Sequence, residues 1–267
     1  MDARTQQQHA ETFHSLHKNG DPLVLFNVWD VATAKAVAKT SPAVATSSGA
    51  VASALGYADG EGAPFDMVTG LAARMTASVS VPVSIDLEAG YGDTPDAAAE
   101  SASKILEAGA VGINIEDGLS GGRRQLVSPE RHAAKIKAVR DAAQKLGINL
   151  FINARTDPFL LKFGSPDECF DEAARRAKVY ADAGADGIFV PGLTDLALIE
   201  KFVQLTPLPV NIMVTQAVPV IPDLARIGVR RVSLGPWPMM AAMRVIGQAA
   251  AAIAASKQYG AFLQPNA

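Results

Sequence analysis

The sequence predicts an α/β protein folded as a (β/α)8 (TIM) barrel, and three observations lead to this fold class. First, eight buried strand patterns alternate along the chain with helix patterns. Second, three successive helices share one N-terminal signal, a Ser or Thr cap followed by proline. Third, segments 107–113 (EAGAVGI) and 182–188 (DAGADGI) repeat the same passage from a helix end into a buried strand, as stacked βα units would.

Two other architectures compete with this prediction. A doubly wound open sheet has the same alternation, but the Gly-x-Gly-x-x-Gly turn expected after its first strand is missing here. With 267 residues and 49% hydrophobic content, the chain fits one barrel of about 250 residues or two small domains. Because no change of composition marks a linker, we expect a single barrel domain over residues 1–267.

The predicted elements follow the order that a barrel requires. A polar helix comes first, at about residues 3–19. The eight strands are predicted at 23–29, 43–48, within 81–92, and at 112–117, 150–157, 187–191, 209–215 and 230–235. Helices are predicted from Asp30 to about residue 39, from strand two to residue 55, from Asp66 to about residue 79, at 196–205 and 222–227, and after Pro238. The three proline-marked helices begin after Thr94, Ser128 and Ser165, and Glu168 is spaced from Ser165 as in a capping box.

Composition and charge exclude several classes of function. The net charge of -3 and the pI near 5.8 provide no basic surface for a phosphate backbone, so we expect no nucleic-acid partner. The one cysteine, Cys169, allows no internal disulfide and fits a reducing cytosol. The N-terminus lacks a signal-peptide pattern, and the longest apolar stretch, 249–255, is shorter than the ~20 residues that span a bilayer. We therefore expect a cytoplasmic protein without a membrane partner.

Acidic side chains crowd the ends of strands three and four. In the stretch VPVSIDLEAGYG (81–92), strand alternation predicts that Asp86 and Glu88 point the same way, about 7 Å apart. Parity in the next strand places Glu116 inward beside Glu88. Three inward carboxylates repel one another unless a cation compensates, and hard oxygen ligands favour Mg²⁺ or Mn²⁺. The alternative is a structural salt-bridge network between these acids and Arg155.

Other strand ends offer groups that bind anions. The planar fork of Arg155 suits a substrate carboxylate, although Arg155 is equally able to neutralise Glu116. Ser48 and Gly49 precede a helix, where free amides favour an anion, and the alternative there is a plain tight turn. Trp29 is expected either to line the pocket or to pack in the core. The histidines all fall in predicted helices, so histidine-based catalysis is not expected; they are His9, His14, His17 and His132.

Together these residues resemble the phosphoenolpyruvate mutase/isocitrate lyase superfamily. The matching features run in order over nearly the whole chain: Ser48-Gly49, Asp59, DLEAGYG at 86–92, IED at 115–117, NARTD at 153–157 and Asn211. The resemblance implies Mg²⁺ held mainly by Asp86, with Glu88 and Glu116 acting directly or through water. It also implies a 2-oxo acid whose carboxylate contacts Ser48, Gly49 and Arg155, with Asp59 and Asn211 as further catalytic and substrate-binding candidates.

The loop after strand four departs from the pattern of the family. It reads GLSGGRRQLV at 118–127. The cysteine motif of isocitrate and methylisocitrate lyases is absent from it, and so are the Lys and Asn of the phosphonopyruvate enzymes. Arg123 and Arg124 either substitute for these groups or are solvated, and Arg123 is taken as the catalytic candidate.

The resemblance implies a Mg²⁺-dependent lyase that acts on a 2-oxo or 2-hydroxy carboxylic acid through an enolate intermediate. Oxaloacetate decarboxylation and retro-aldol cleavage are the leading reactions. Decarboxylation comes first, because it needs only an electron sink and a later proton donor and so tolerates a loop without Cys or Lys. Phosphorus–carbon bond chemistry is one alternative, and a barrel that binds a carboxylate without turnover is another. The family also implies a homo-oligomer, a dimer or tetramer, in which the last helix, about residues 238–256, is exchanged between subunits.

Overall fold

A computed structural model describes residues 2–18, 20–120 and 123–259, and its centre is a parallel sheet that closes almost completely into a barrel. The strands are β1 (Leu23–Leu25), β2 (Val44–Ala45), β3 (Val83–Asp86), β4 (Gly112–Glu116), β5 (Leu119–Ser120), β6 (Arg123–Arg124), β7 (Phe151–Arg155), β8 (Gly187–Phe189), β9 (Val210–Met213) and β10 (Arg231–Ser233). Eight of them form the sheet in the order β1-β10-β9-β8-β7-β4-β3-β2, while β5 and β6 form a separate antiparallel pair. A parallel bridge between Val28 and Thr46 joins the chain just after β1 to the chain just after β2, the two strands at the ends of this order. The predicted (β/α)8 barrel is confirmed.

Helices surround this sheet and alternate with its strands. They are α1 (Ala3–Ser15), α2 (Val31–Val37), α3 (Ser48–Leu55), α4 (Phe65–Thr76), α5 (Pro95–Glu107), α6 (Pro129–Lys145), α7 (Pro166–Asp182), α8 (Leu196–Leu205), α9 (Ile221–Arg226) and α10 (Trp237–Ser256). The predicted caps Thr94, Ser128 and Ser165 each accept a hydrogen bond from the amide three residues on, and Glu168 completes the capping box. The first helix is shorter than predicted, because it ends at Ser15. A single domain over 1–267 extends beyond the described residues and stays a prediction.

The amino end of the barrel is closed by α1. Phe13 is fully buried against the inward side chains of Leu25, Ala45 and Phe151. The ring of His17 stacks on Phe151 with 4.0 Å between ring centroids. This apolar plug leaves the opposite, carboxyl end of the strands as the open end of the barrel.

The last helix, α10, lies largely exposed. Large apolar side chains on it remain more than 40% exposed: Met240, Met243, Val245 and Ile246. Within the described part of the chain, α10 is the one helix whose length and composition would allow it to cross a membrane. Arg244 lies inside this helix, and a charged side chain near the centre of a bilayer is costly, so Arg244 disfavours a membrane-spanning position of α10. Subunit exchange, oligomeric state and cytoplasmic location stay predictions.

Candidate active site

A cavity of about 400 Å³ opens at the carboxyl ends of the barrel strands, where active sites of (β/α)8 barrels lie. Its polar lining includes Asn27, Ser48, Asp59, Asp86, Asn114, Arg124 and Arg155, and its apolar wall includes Leu160, Leu161, Phe189 and Met213. Five predicted site residues therefore face one cavity: Ser48, Gly49, Asp59, Asp86 and Arg155.

Asp86 is the last residue of β3 and is held in a defined orientation. Its Oδ2 accepts the Ser48 amide at 3.0 Å, and its own amide donates to Thr46 Oγ1 at 2.8 Å. Its Oδ1 is buried and has no hydrogen-bond partner among the described residues. A buried carboxylate oxygen without a donor is costly, so the position fits a hard cation.

Glu88 does not share the strand face of Asp86, and that expectation was wrong. Strand β3 ends at Asp86, and Glu88 adopts a left-handed backbone with φ 51°. Its carboxylate accepts the amides of Gly60 at 2.7 Å and Glu61 at 2.6 Å, and the Tyr91 hydroxyl donates to it at 3.1 Å. Burial raises the pKa of Glu88 to about 7. Glu88 therefore anchors the loop that carries Asp59, and its role as a metal ligand stays a prediction.

Glu116 and Arg155 form a buried ion pair across the β4–β7 register, in which they lie directly opposite. Arg155 also forms a fork with Asp157, with Nε donating at 2.7 Å and Nη2 at 2.9 Å. Burial raises the pKa of Glu116, and the charge of Arg155 opposes that rise. The predicted alternative, in which Arg155 neutralises Glu116, is present in the structure, although Arg155 also lines the cavity.

The loop after β4 places Arg124, rather than Arg123, in the site. Arg124 forms ion pairs with Glu116, at 3.2 Å, and with Asp59. Arg123 lies opposite Ser120 in the two-residue ladder, its side chain is exposed, and it does not line the cavity. The choice of Arg123 is thus corrected by one position, because neighbouring residues of a ladder point to opposite faces.

The remaining candidates lie at different depths. Gly49 is in the first turn of α3, and a Cβ there would lie 3.5 Å from the Asp59 carboxyl carbon, so glycine leaves room for that acid. Trp29 packs beside an apolar cluster that includes Val28 and Ala34, away from the cavity lining. Asn211 is 1% exposed and lies off the lining, where its Oδ1 accepts the Ser233 hydroxyl at 3.2 Å.

Two supporting residues were missed from the sequence. Asn27 donates to the Thr46 carbonyl at 2.8 Å and accepts the Gly235 amide at 2.9 Å, so it ties three strand ends together. Lys135, buried on α6, donates to the carbonyls of Ala89 at 2.8 Å and Gly92 at 2.7 Å, which fixes the loop after β3. Inward parity on the first strand was an available signal for Asn27. Nothing in the sequence marks Lys135, because its partners are distant backbone carbonyls.

No three His, Cys, Asp or Glu side chains converge as a ready-made metal cluster within the described ranges. This arrangement does not resemble a closed zinc site, which needs four protein ligands. It fits Mg²⁺, which keeps several waters and uses one or two carboxylates. Asp86, with its unpartnered oxygen, is the residue best placed to hold such an ion, and Glu116 lies close enough to influence it electrostatically.

A nearly closed barrel with a polar cavity at the carboxyl ends of its strands defines a (β/α)8-barrel enzyme. The chain belongs to the phosphoenolpyruvate phosphomutase family, whose model matches residues 13–254. The predicted superfamily and the prediction of an enzyme are thereby confirmed.

Three relatives show how the chain is placed in this family. An uncharacterized Mycobacterium tuberculosis (strain H37Rv) protein is 37% identical over 92% of this chain and 90% of its own length. A protein of Burkholderia cenocepacia J2315, described as a phosphonomutase, has a crystal structure that superposes on this chain with a TM-score of 0.88. The two sequences are 39% identical, and the match covers 95% of this chain and 100% of the other. An oxaloacetate decarboxylase of Rhodopseudomonas palustris (strain CGA009) is 33% identical over 51% of this chain and 46% of its own length.

Proposed function

We propose that this enzyme is a Mg²⁺-dependent carbon–carbon lyase acting on a 2-oxo or 2-hydroxy carboxylic acid, with oxaloacetate decarboxylation as the leading reaction. The observation that carries the proposal is the buried, unpartnered Oδ1 of Asp86 at the edge of a cavity that also holds Arg155 and Arg124. A carboxylate that can hold a cation lines the same cavity as two guanidinium groups. The cation would bind the carbonyl oxygen of a 2-oxo acid, and the guanidinium groups would bind its carboxylates. The oxaloacetate decarboxylase relative supports this substrate class.

Different residues of the cavity would bind the metal ion and the substrate carboxylate. Asp86 would hold Mg²⁺, with Glu116 assisting through water, and the ion would supply a Lewis acid for the 2-oxo group. Arg155 has five N–H donors, and its three contacts leave two for a substrate carboxylate. The first-turn amide of Gly49 offers another donor to the same anion.

The other side chains of the cavity suit a reaction in which the substrate loses its distal carboxylate as CO₂. Arg124 is partly exposed at the cavity and bridges two acids, so it can bind the distal carboxylate of a dicarboxylic acid by exchanging partners. Phe189 and Met213 form an apolar wall of the cavity, which limits water around the reacting carbons. In decarboxylation the bond between C3 and the distal carboxyl carbon would break, and that carbon would leave as CO₂. The bonding electron pair would enter the enolate of pyruvate, and a proton from solvent would then add to C3.

A substrate panel with and without EDTA tests this function. The panel contains oxaloacetate, malate-type acids and phosphonopyruvate, with release of CO₂, aldehyde or ketone, and phosphate as the readouts. We expect Mg²⁺-dependent release of CO₂ from oxaloacetate. Asp86→Asn should lower the rate at least ~100-fold, because it removes the charge and keeps the shape, whereas Asp96→Asn, on the exposed first turn of α5, should leave it unchanged.

The same panel separates the alternatives. Phosphate release or isomerisation of phosphonopyruvate would replace the proposal with phosphorus–carbon chemistry. Oxalate binding by calorimetry, combined with no turnover of any substrate, would indicate a carboxylate-binding barrel. Undiminished activity in EDTA or in Asp86→Asn would refute the metal-dependent mechanism.

A further inference from the structure

Arg231 lies inside the barrel beneath the cavity, and it has no acidic partner among the described residues. It is 1% exposed, and no carboxylate of the described residues lies within ion-pair distance of it. Its contacts are neutral oxygens: Nε donates to Ser233 Oγ at 3.3 Å, and Nη2 donates to Asn114 Oδ1 at 3.2 Å. Its Nη1 is buried with no partner in the described part of the chain. Buried charges are nearly always paired, so an unpaired one needs a reason to be there.

The two oxygens that Arg231 contacts belong to residues that line the cavity. Asn114 and Ser233 are both part of its lining. Asn114 Oδ1 also accepts from Asn153 at 2.9 Å, and Ser233 Oγ donates to Asn211 at 3.2 Å. A network anchored on Arg231 therefore crosses four strands and forms the floor of the site.

The charged neighbour of Arg231 on the cavity side is Asp86. Asn114, which accepts from Arg231, lies in register with Asp86 on the adjacent strand. Burial lowers the pKa of Arg231 to about 9, and the negative charge of Asp86 opposes this shift, so the guanidinium is charged at neutral pH. On the opposite side lies His17, whose pKa burial lowers to about 3, so it is neutral. Among the described residues Arg231 therefore has no ion-pair partner, and Asp86 is the acid of the site on which its charge acts.

We propose that Arg231 is a positioning residue that acts as a fixed positive charge beneath the site, favouring the anionic substrate and weakening the binding of the divalent cation at Asp86. This inference rests on the proposed function. Arg231 Nη2 lies 3.2 Å from Asn114 Oδ1, and Asn114 and Asp86 lie in register on adjacent strands. Such strands lie ~4.8 Å apart, so the guanidinium and the Asp86 carboxylate are separated by roughly 8 Å. At an effective dielectric constant of about 20, one unit charge at that distance changes a binding constant by about thirtyfold for each unit of charge on the ligand.

Calorimetric titration of the protein with MgCl₂ alone, and with oxalate at saturating Mg²⁺, tests the inference with Arg231→Met and Arg231→Lys. Methionine fills the buried space without charge, and replacing a buried charge by an apolar group is often neutral or stabilising. We expect Arg231→Met to bind Mg²⁺ at least ~30-fold more tightly and oxalate at least ~30-fold more weakly, with an unchanged or higher melting temperature. Arg231→Lys, which keeps the charge, should remain within about threefold of wild type for both ligands.

A matched control comes from Arg140→Met. Arg140 lies among the carbonyls of Gly184 and Leu150 and pairs with Asp186, away from the cavity lining. Its loss should lower stability and leave both affinities unchanged.

Opposite changes in the two affinities are the result that a merely structural role would not produce. Unchanged affinities in Arg231→Met, or a parallel weakening of both ligands, would overturn the inference. If Arg231→Met does not fold, Arg231→Gln decides, because its amide can still donate to the Ser233 and Asn114 oxygens but carries no charge. Opposite changes in the two affinities support the inference, and unchanged affinities overturn it. A wild-type protein that binds neither Mg²⁺ nor oxalate refutes the proposed function and this inference together, whereas failure of the variants alone refutes only the inference.

Discussion

Gly118→Ala should disable the site through a contact that only glycine permits. Gly118 follows Asp117 at the end of β4, and a Cβ there would lie 2.6 Å from Asp157 Cβ and 2.7 Å from its carboxyl carbon, and closer still to Oδ2. Asp157 is fully buried, and its amide donates to Asp117 Oδ1 at 3.0 Å, so it has little room to move aside. The added methyl group must therefore displace the carboxylate that orients Arg155.

The size of the effect follows from two contributions. Overpacking a buried site costs about 1–3 kcal/mol, and weakening a charge-assisted hydrogen bond to Arg155 costs about 1.5–3 kcal/mol. Because the two share one carboxylate they do not add fully, and we expect a loss of about 3 kcal/mol in the free energy of unfolding. For a chain of this size that lowers the melting temperature by about 6–12 °C. A guanidinium displaced by about 1 Å should reduce kcat/KM by ~100-fold.

Thermal unfolding, oxalate calorimetry and oxaloacetate turnover measure these effects. Gly70→Ala in α4 is the matched control, because a Cβ there meets only the flexible end of Arg74, at 3.3 Å. Alanine inside a helix should keep or raise stability. A Gly118→Ala protein with wild-type melting temperature and wild-type oxalate affinity would refute the coupling between Asp157 and Arg155.

Three further outcomes are expected. Burial raises the pKa of Glu88 to about 7, so the native protein keeps the proton of this carboxyl to a higher pH than the unfolded chain does. The stability that Glu88 contributes is therefore fully present below about pH 4.5 and should be lost as pH rises through 7. In urea unfolding measured in EDTA, the free energy of unfolding of Glu88→Gln should depend less on pH than that of the wild type. Arg124→Ala should lower kcat/KM at least ~10-fold, whereas Arg123→Ala should retain it, and equal losses would contradict the assignment. Sedimentation velocity should show a dimer or tetramer that Val245→Glu dissociates, and a monomeric wild type would contradict this.

Much of the fold was predictable because its signals are local. The caps Thr94, Ser128 and Ser165 each bond an amide three residues away, so a single helical turn of sequence contains both partners. Strand alternation likewise depends on adjacent residues, and it correctly placed Asp86 and Arg155 at the cavity. The order of the strands then followed from the alternation of elements along the chain.

The pairing of the site residues was harder to predict, because it depends on register and on backbone conformation at strand ends. Alternation ceases to apply where β3 ends, and the left-handed backbone of Glu88 turns its carboxylate onto the Asp59 loop. The choice between Arg123 and Arg124 depends on which face of a two-residue ladder meets Glu116, and sequence spacing does not determine that. Arg231 was missed because two arginines, Arg230 and Arg231, open the predicted strand, and only the register of that strand decides which of them points inward.

The charge balance of the site argues for a divalent cation independently of any relative. Four carboxylates border the cavity or contact Arg155, and two guanidiniums lie among them; the acids are Asp59, Asp86, Glu116 and Asp157, and the cations are Arg124 and Arg155. The formal charge is about −2 when all are ionised, and about −1 when Glu116, whose pKa burial raises to about 8, keeps its proton. The positive charge of Arg231 beneath the floor makes the net charge of the site less negative by one unit. A dicarboxylic 2-oxo acid would add two more negative charges, and such repulsion in a partly buried cavity is strongly unfavourable. Asp86 carries a buried oxygen without a partner among the described residues, so a divalent cation held there would restore the balance that the proposed dicarboxylic substrate needs.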